Sequence, residues 1–319
     1  VAARWQPGQT VRIMDPALEI SLEVIIRVVF GVQSDERVER FQSQIKSFVS
    51  SFHPLLAFSK LLQRPEFGLS PWKRFIHARE AFYTLLNEEI ESRSNRSSEQ
   101  ENLLSRLLDA KYDDGVDVQM SNIRDQLVTM LFAGHETTQI AIAWAMSWLH
   151  RYPEELTQLR DELAPLESTQ DILKCPFLTG VCNEALRIRS VVPDMVRVLK
   201  QPLAFEEIEL PAGANIGIPI CLIHVDPKLY PEPMKFRPSR WQERNYKPHE
   251  FLPFGGGVRR CIGATLAMME MKMVIATWIS NFRFSLSPDV PSVEPTYRRN
   301  ITMAPKTGIP LVFEGHLYG

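Results

Sequence analysis

Apolar residues recur along most of this chain at the spacing of α-helices. Residues 15–31 are apolar around most of a helix circumference and end at a glycine, which predicts a buried helix. Residues 33–58 and 71–92 carry apolar side chains at the three-to-four spacing of amphipathic helices. Residues 103–111 predict a shorter helix. The polar residues 93–101 predict a solvated loop.

The second half of the chain mixes helical segments with short strands. A helix is predicted to begin at Pro153, and residues 171–188 predict another. Strands are predicted at residues 196–210, 214–223, 282–286 and 309–313. Residues 1–14 are polar and predict a loop. The pattern therefore predicts a mainly α chain with small β-sheets, an α+β fold, in one domain covering residues 1–319.

The longest helical pattern covers residues 121–152 and stops at Pro153. Its apolar side chains surround the helix, so we expect it to run through the interior. Residues 133–138 nevertheless read Ala-Gly-His-Glu-Thr-Thr, and a buried glycine, carboxylate and hydroxyls lower the stability of a helix. Two interpretations remain open here. Either a neighbouring helix or carbonyls one turn earlier satisfy these polar groups, or a function offsets their cost.

Composition narrows the function classes. The chain has 319 residues, a net charge of −2 and 45% hydrophobic residues, so nothing in its charge favours binding to nucleic acid. Four cysteines in so long a chain do not make a disulfide framework, which favours a reducing, cytoplasmic location. The densest apolar run, residues 140–149, is too short to span a membrane. Because the chain begins with Val1, an N-terminal anchor on a longer parent protein stays open.

One cysteine stands where a glycine-rich loop meets an apolar helix. Residues 254–263 read Phe-Gly-Gly-Gly-Val-Arg-Arg-Cys-Ile-Gly, and an apolar segment follows at Ala264–Asn281. A helix N-terminus and the guanidinium groups of Arg259 and Arg260 favour the ionised form of Cys261, which is the form that binds a soft metal. The alternative is a buried cysteine that happens to precede a helix.

This loop matches Phe-x-x-Gly-x-Arg-x-Cys-x-Gly at every fixed position, and Ala267 and Glu270 continue the pattern. It resembles the haem-binding loop of the cytochrome P-450 family, in which the cysteine thiolate is the axial ligand of haem iron. The resemblance implies haem b as cofactor and Cys261 as its iron ligand. The other residues that it implies at the haem are Arg259 and Arg197 at the propionates, Phe254 beside the sulfur, and Gly263, which gives the porphyrin room.

The middle of the long helix is similar to the distal helix of the same family, which reads Ala/Gly-Gly-x-Asp/Glu-Thr-Thr/Ser. By that resemblance Gly134 opens a groove over the iron. Glu136 and Thr137 would form a catalytic acid–alcohol pair that relays protons to iron-bound oxygen, a role that needs a carboxylate and a hydroxyl close together.

A Glu-x-x-Arg step at Glu184 and Arg187 places two side chains on one helix face, and alone it has little meaning because most such pairs are weak surface ion pairs. It is followed by Pro-Ser-Arg-Trp at residues 238–241. The family has these two elements in the same order. The resemblance implies a buried, structural triad of Glu184, Arg187 and Arg240 that supports the haem loop.

The resemblance extends from residue 5 to residue 314 and implies a cytochrome P-450-like fold that lacks its N-terminal part. Family members usually begin with further strands, a substrate-lining loop and a helix that contacts a propionate. None of these can be placed in this chain. We therefore expect residues 1–319 alone to bind haem weakly or not at all and to expose apolar surface.

The resemblance implies a monooxygenase that uses O₂ to insert one oxygen atom into a small apolar organic substrate. Two alternatives remain. One is a hydroperoxide-rearranging haem-thiolate enzyme, against which Thr137 argues; the other is a truncated, haem-free homologue without catalysis. A separate electron donor is implied. Residues 228–260 hold eight Lys or Arg and three Glu, so an acidic ferredoxin or flavodoxin would suit this segment.

Overall fold

The structure is a computed structural model that describes residues 4–51, 71–94, 102–299 and 301–317. The helices in this part of the chain are α1 Met14–Val28, α2 Asp35–Ser51, α3 Pro71–Ser94, α4 Leu103–Leu108, α5 Met120–Arg151, α6 Pro153–Leu163, α7 Thr169–Lys174, α8 Pro176–Ile188, α9 Ile220–His224, α10 Arg240–Glu243 and α11 Ala264–Asn281. The strands are β1 Thr10–Arg12, β2 Met195–Val198, β3 Leu203–Phe205, β4 Ile208–Leu210, β5 Asn215–Ile218, β6 Phe282–Leu286, β7 Thr296–Arg299, β8 Thr302–Pro305 and β9 Pro310–His316. The predicted mainly α fold with small sheets is confirmed.

The chain divides into two compact units, one of Ile20–His135 and one of Val1–Glu19 with Glu136–Gly319. Within the described residues of both units, no helix is both long and apolar enough to cross a membrane.

In the unit Ile20–His135, aromatic side chains hold the helices together. The ring of Phe48 on α2 lies 5.5 Å from that of Phe82 on α3 and 5.3 Å from that of Phe132 on α5. Helix α1 packs closely on α5, because a Cβ added at Gly134 would lie 2.7 Å from Cδ1 of Ile25. This glycine therefore has a packing role within its own unit.

In the unit Val1–Glu19 with Glu136–Gly319, helices α6, α7, α8 and α11 pack beside small antiparallel sheets. A three-stranded sheet has the order β1, β9, β6, and the other strands pair as β2 with β5, β3 with β4 and β7 with β8. Trp5 contacts four aromatic residues at one end of this unit: Trp278, Phe282, Phe284 and Phe313. Strand β1 is an addition to the prediction, which treated residues 1–14 as a loop.

Most predicted helices lie within a few residues of the observed ones, and β6 has the predicted bounds. The single helix predicted over residues 171–188 is wrong, because the chain breaks between α7 and α8. Cys175 is extended at φ −53° and ψ 116°, as expected before Pro176, whose ring disfavours helical backbone at the preceding residue. Residues 52–58 of a predicted helix and 95–101 of a predicted loop lie outside the described part of the chain.

The two strands predicted between residues 196 and 223 also need correction. The first is three short strands, β2 to β4, and the second ends at Ile218, after which α9 begins. Pro219 separates strand from helix, since it cannot donate a hydrogen bond to a sheet. The turn predicted before Ala214 is present, with Gly213 at φ +85° and the Ala214 N–H donating to the carbonyl of Pro211 at 3.2 Å.

Candidate functional site

The cysteine loop is closed by main-chain hydrogen bonds. The Cys261 N–H donates to the carbonyl of Phe254 at 2.9 Å, and the Gly255 N–H donates to the carbonyl of Leu252 at 3.0 Å. Gly255 and Gly257 have φ of +70° and +66°, which disfavours residues with a Cβ. Helix α11 begins three residues after Cys261, so the loop presents the sulfur just ahead of a helix N-terminus.

The side chains around the sulfur are exposed, although several are apolar. Cys261 is exposed, Val258 is fully exposed and Ile262 is 88% exposed. A Cβ added at Gly263 would lie 3.9 Å from the Cys261 sulfur, an ordinary van der Waals contact, so this glycine lies directly beside the sulfur. A thiol flanked by exposed apolar side chains and a glycine fits a flat apolar ligand such as a porphyrin.

The other cysteines fit a metal less well. Cys175 and Cys182 are buried. Burial raises the pKa of the Cys182 thiol to about 12, and it raises the pKa of the Cys175 thiol as well. A thiol with a raised pKa is rarely ionised at neutral pH, and the thiolate is the form that ligates metal. Cys261 is therefore a better candidate ligand than either buried cysteine.

The remaining predicted haem contacts lie around the loop. Phe254 is half-buried, whereas Arg259 is exposed. Arg197 is half-buried on strand β2, where Nη1 donates to the carbonyl of Val196 at 2.9 Å. This strand runs beside the loop, because a Cβ added at Gly255 would lie 3.0 Å from the sulfur of Met195.

The three residues of the predicted triad lie together in the core. Nε and Nη2 of Arg187 donate to the two carboxylate oxygens of Glu184 at 2.9 and 2.8 Å. Nε of Arg240 donates to Glu184 Oε1 at 2.8 Å. The exposed fraction of each side chain is 1% or less. A buried carboxylate held by two guanidinium groups is fully compensated in charge.

Two further groups complete this cluster. Nε1 of Trp241 donates to Glu184 Oε2 at 3.0 Å, and the Arg237 N–H donates to Oε1 at 3.1 Å. The chain before Arg240 can approach α8 because that helix has a glycine at 180, where a Cβ would lie only 2.5 Å from the carbonyl oxygen of Pro238. Sequence reasoning noted Trp241 only as part of a motif, and the role of Gly180 is visible only in three dimensions.

A histidine that sequence analysis missed connects the cluster to the cysteine loop. Nη1 of Arg187 donates to the carbonyl of His224 at 2.6 Å, and the Leu252 N–H donates to Nε2 of the same histidine at 2.9 Å. Leu252 lies two residues before Phe254. An isolated histidine directly after a predicted strand offers no signal for such a contact.

The polar middle of α5 divides into buried and half-exposed residues. His135, Thr138 and Gln139 are buried, whereas Glu136 and Thr137 are half-exposed. The expectation that Glu136 and Thr137 are buried is therefore wrong. The expectation that the whole helix runs through the interior is also wrong, because the first half of α5 is partly exposed.

Two of the buried polar residues have structural partners. Nδ1 of His135 lies 2.7 Å from the carbonyl of Leu131, one turn earlier, and Nε2 of Gln139 donates to the carbonyl of Met14 at 2.9 Å. The structural interpretation thus accounts for His135 and Gln139.

A cysteine loop before a helix, joined through hydrogen bonds to a buried Glu-Arg-Arg cluster, is the arrangement expected of the haem-thiolate class. The family model for cytochrome P-450 matches residues 3–312. The chain is 33% identical over 310 residues to cytochrome P-450 135A1 of Mycobacterium tuberculosis, covering 96% of this chain and 66% of that protein. Cytochrome P-450 138 of Mycobacterium bovis is 31% identical over 96% of this chain and 68% of its own length. The chain therefore belongs to the cytochrome P-450 family.

Solved structures agree with this assignment. The cytochrome P450DA haem domain superposes with a TM-score of 0.83 at 23% identity, covering 97% of this chain and 69% of that one, and it supports the fold alone. The cyanobacterial CYP120A1, described with retinoic acid bound, has a TM-score of 0.81 at 26% identity and covers 99% of this chain and 71% of that one. The chain spans 66% of the length of the curated relative 135A1, so the family assignment covers a part of such a protein.

Proposed function

We propose that the protein is a haem-thiolate monooxygenase that inserts one oxygen atom from O₂ into an apolar organic substrate. The observation that carries this proposal is the exposed Cys261, presented between the exposed apolar side chains of Val258 and Ile262 in a loop closed by its own hydrogen bonds. Haem b, when bound, supplies the iron at which dioxygen is activated. The protein supplies the ligand, the shape of the site and the protons.

Cys261 would hold the iron through its thiolate, the ligand that favours cleavage of the O–O bond. Arg259, exposed on the loop, and Arg197, on the strand beside it, would bind the two propionates through charge-assisted hydrogen bonds. Phe254 would pack beside the sulfur, where its carbonyl already accepts the Cys261 N–H. Gly263, beside the sulfur, would give the porphyrin room.

On the distal side, Glu136 and Thr137 would move protons toward the reacting oxygen. Their half-exposed position on α5 supports this role, because a proton relay needs access to water as well as to the reaction centre. Gly134 leaves the helix without a side chain three residues before Thr137. In a Thr137→Ala variant we expect haem binding to persist and the amount of product per electron consumed to fall. An unaltered ratio would assign the relay to other residues.

The electron donor is proposed to be an acidic ferredoxin or flavodoxin. Several basic residues of the segment 228–260 already have acidic partners, since Arg240 pairs with Glu184, Arg237 with Glu243 and Arg244 with Glu250. The predicted basic surface is therefore smaller than the residue count indicates.

We propose that the donor docks at a cleft of about 350 Å³ beside the cysteine loop. It is lined by Phe254 and Arg260 of the loop and by Met268, Met269 and Lys272 of α11. Two cations beside a mixed apolar and polar lining suit the acidic rim of a small redox protein.

The substrate is proposed to be a small apolar organic molecule. One structural relative, the cyanobacterial CYP120A1, is described with retinoic acid bound, a largely apolar molecule that carries one carboxylate. This supports an apolar class of substrate.

The test is spectroscopic and uses the purified protein in its full-length form supplied with excess haem, because residues 1–319 alone are expected to bind haem weakly or not at all. After reduction and addition of carbon monoxide we expect the strongly red-shifted Soret band of thiolate-ligated haem, and a Cys261→Ser variant should lose it. Cys221→Ser is the matched control, because Cys221 is half-buried outside the loop and should leave the band unchanged. A band that survives Cys261→Ser would refute the ligand assignment. Absence of any haem would favour the haem-free homologue, and turnover of a hydroperoxide without an electron donor would favour the rearranging enzyme.

A further inference from the structure

The imidazole ring of His224 is fully buried at the end of α9, and both of its nitrogens have partners. The Leu252 N–H donates to Nε2 at 2.9 Å, and Nδ1 lies 2.9 Å from Oγ of Ser190. Because Nε2 accepts a main-chain N–H, it carries no proton. The proton of the neutral ring therefore lies on Nδ1 and is donated to Ser190.

The surroundings of the ring keep it neutral. Burial, followed by the nearby Arg187 guanidinium, lowers the pKa of His224 to about 4. The carbonyl of the same residue accepts a hydrogen bond from Arg187 at 2.6 Å. The rings of Tyr230 and Phe251 pack against it at 6.5 and 5.3 Å. At neutral pH the ring is thus a fixed, uncharged acceptor.

The N–H that this ring accepts belongs to the turn that leads into the cysteine loop. The Leu252 carbonyl accepts the Gly255 N–H at 3.0 Å, and the Leu252 side chain lies 3.2 Å from the position of a Cβ at Gly256. Two residues further, the Phe254 carbonyl accepts the Cys261 N–H. The hydrogen bond that His224 accepts from Leu252 therefore fixes the start of a turn, and the hydrogen bond from Cys261 to Phe254 then places the cysteine.

We propose that His224 is a positioning residue: its neutral Nδ1–H ring, held by Ser190 and Arg187, fixes the start of the cysteine loop through Leu252 and so orients the Cys261 sulfur. The inference deepens the proposed function and rests on Cys261 being the iron ligand. It assigns the histidine no contact with haem, substrate or oxygen. The alternative is that His224 only fills space between Tyr230 and Phe251.

Two variants of His224 test whether it acts through its hydrogen bond or only by filling space. His224→Leu keeps most of the volume and removes the acceptor, whereas His224→Gln retains a side-chain oxygen that can accept the Leu252 N–H. His150→Leu is the matched control. His150 is also a buried histidine of this unit with a pKa lowered to about 4 by burial, but its Nδ1 lies 2.7 Å from the carbonyl of Met146 in its own helix.

In the haem-loaded protein, the reduced carbon monoxide spectrum measures how much haem keeps a thiolate ligand. The red-shifted band comes from haem with a thiolate ligand, and a band at shorter wavelength comes from haem without one. Since one hydrogen bond shifts an equilibrium by up to about tenfold, we expect the ratio of the first band to the second to fall by about tenfold in His224→Leu. His224→Gln should recover most of the ratio, and His150→Leu should keep that of the unsubstituted protein. Equal ratios in the Leu and Gln variants would overturn the proposal.

Amide hydrogen exchange in the haem-free protein tests the proposal independently of the cofactor. We expect the Leu252 and Cys261 amides to exchange faster in His224→Leu and at the normal rate in His224→Gln. If His224→Leu does not fold, Ser190→Ala takes its place, because it frees the ring while retaining the Leu252 acceptor, and a smaller change of the same sign is expected. Unchanged exchange at Leu252 in whichever variant folds would refute the positioning role. A protein that shows this exchange pattern but never binds haem would instead refute only the proposed function.

Discussion

The Glu184 cluster and the cysteine loop lie in the same unit, but the side chains of the cluster are buried and hydrogen-bonded, whereas those beside Cys261 are exposed. Glu184, Arg187 and Arg240 are almost completely buried, and each makes several hydrogen bonds within the protein. Val258 and Ile262, on either side of Cys261, are almost completely exposed. The loop owes its shape to main-chain hydrogen bonds and to the residues that precede it.

This difference in burial indicates that the cluster and the loop have different roles. The cluster fixes the backbone at the base of the loop with charges that cannot be removed singly without leaving a buried partner uncompensated. The loop leaves its apolar side chains available to a ligand. We therefore expect changes in the cluster to act on the stability of the fold, and changes in the loop to act on the binding of the cofactor.

The largest effect is expected from Glu184→Ala. Removing this carboxylate leaves the guanidinium groups of Arg187 and Arg240 and the indole N–H of Trp241 without their buried acceptor. The free energy of unfolding should therefore fall by about 3–5 kcal/mol. Urea unfolding followed by circular dichroism measures this change, and little soluble protein is expected.

Glu243→Ala is the matched control for this experiment. Its carboxylate pairs with Arg237 at 3.1 Å on the protein surface, where such a pair contributes less than about 1 kcal/mol. Similar losses in Glu184→Ala and Glu243→Ala would show that burial does not distinguish the two ion pairs, and the contrast drawn above would be wrong.

Sequence motifs identified Glu184, Arg187 and Arg240 of the cluster. They did not identify His224, which contacts the cluster only in the folded structure. Glu184 and Arg187 are three residues apart on one helix, so their pairing follows from helix geometry. Arg240 was added by the order of motifs in the family. His224 lies between these motifs, and no spacing rule connects it to Leu252, 28 residues later.

The fold shows the same limit. Strand β1 was missed because its partner β9 is at the other end of the chain, where Val11 pairs with Leu311. Helix α9 was predicted as a strand because Ile220 and Ile223 favour strands locally, although a strand there would have to pass through Pro219. On α5, periodicity could not separate the buried Gln139 from the half-exposed Thr137.

The smallest effect on stability, and a clear effect on binding, is expected from Ile262→Ser. Because the Ile262 side chain is 88% exposed, the free energy of unfolding of the haem-free protein should change by less than about 0.5 kcal/mol. If haem covers this side chain, losing its apolar area should weaken haem binding by about tenfold, as measured by haem titration.

Val293→Ser is the matched control, since Val293 is 71% exposed outside the loop and should change neither quantity. Equal haem affinity in the two variants would mean that the apolar side chains beside Cys261 do not receive the cofactor. A large loss of stability in Ile262→Ser alone would mean that the loop supports the fold as the cluster does.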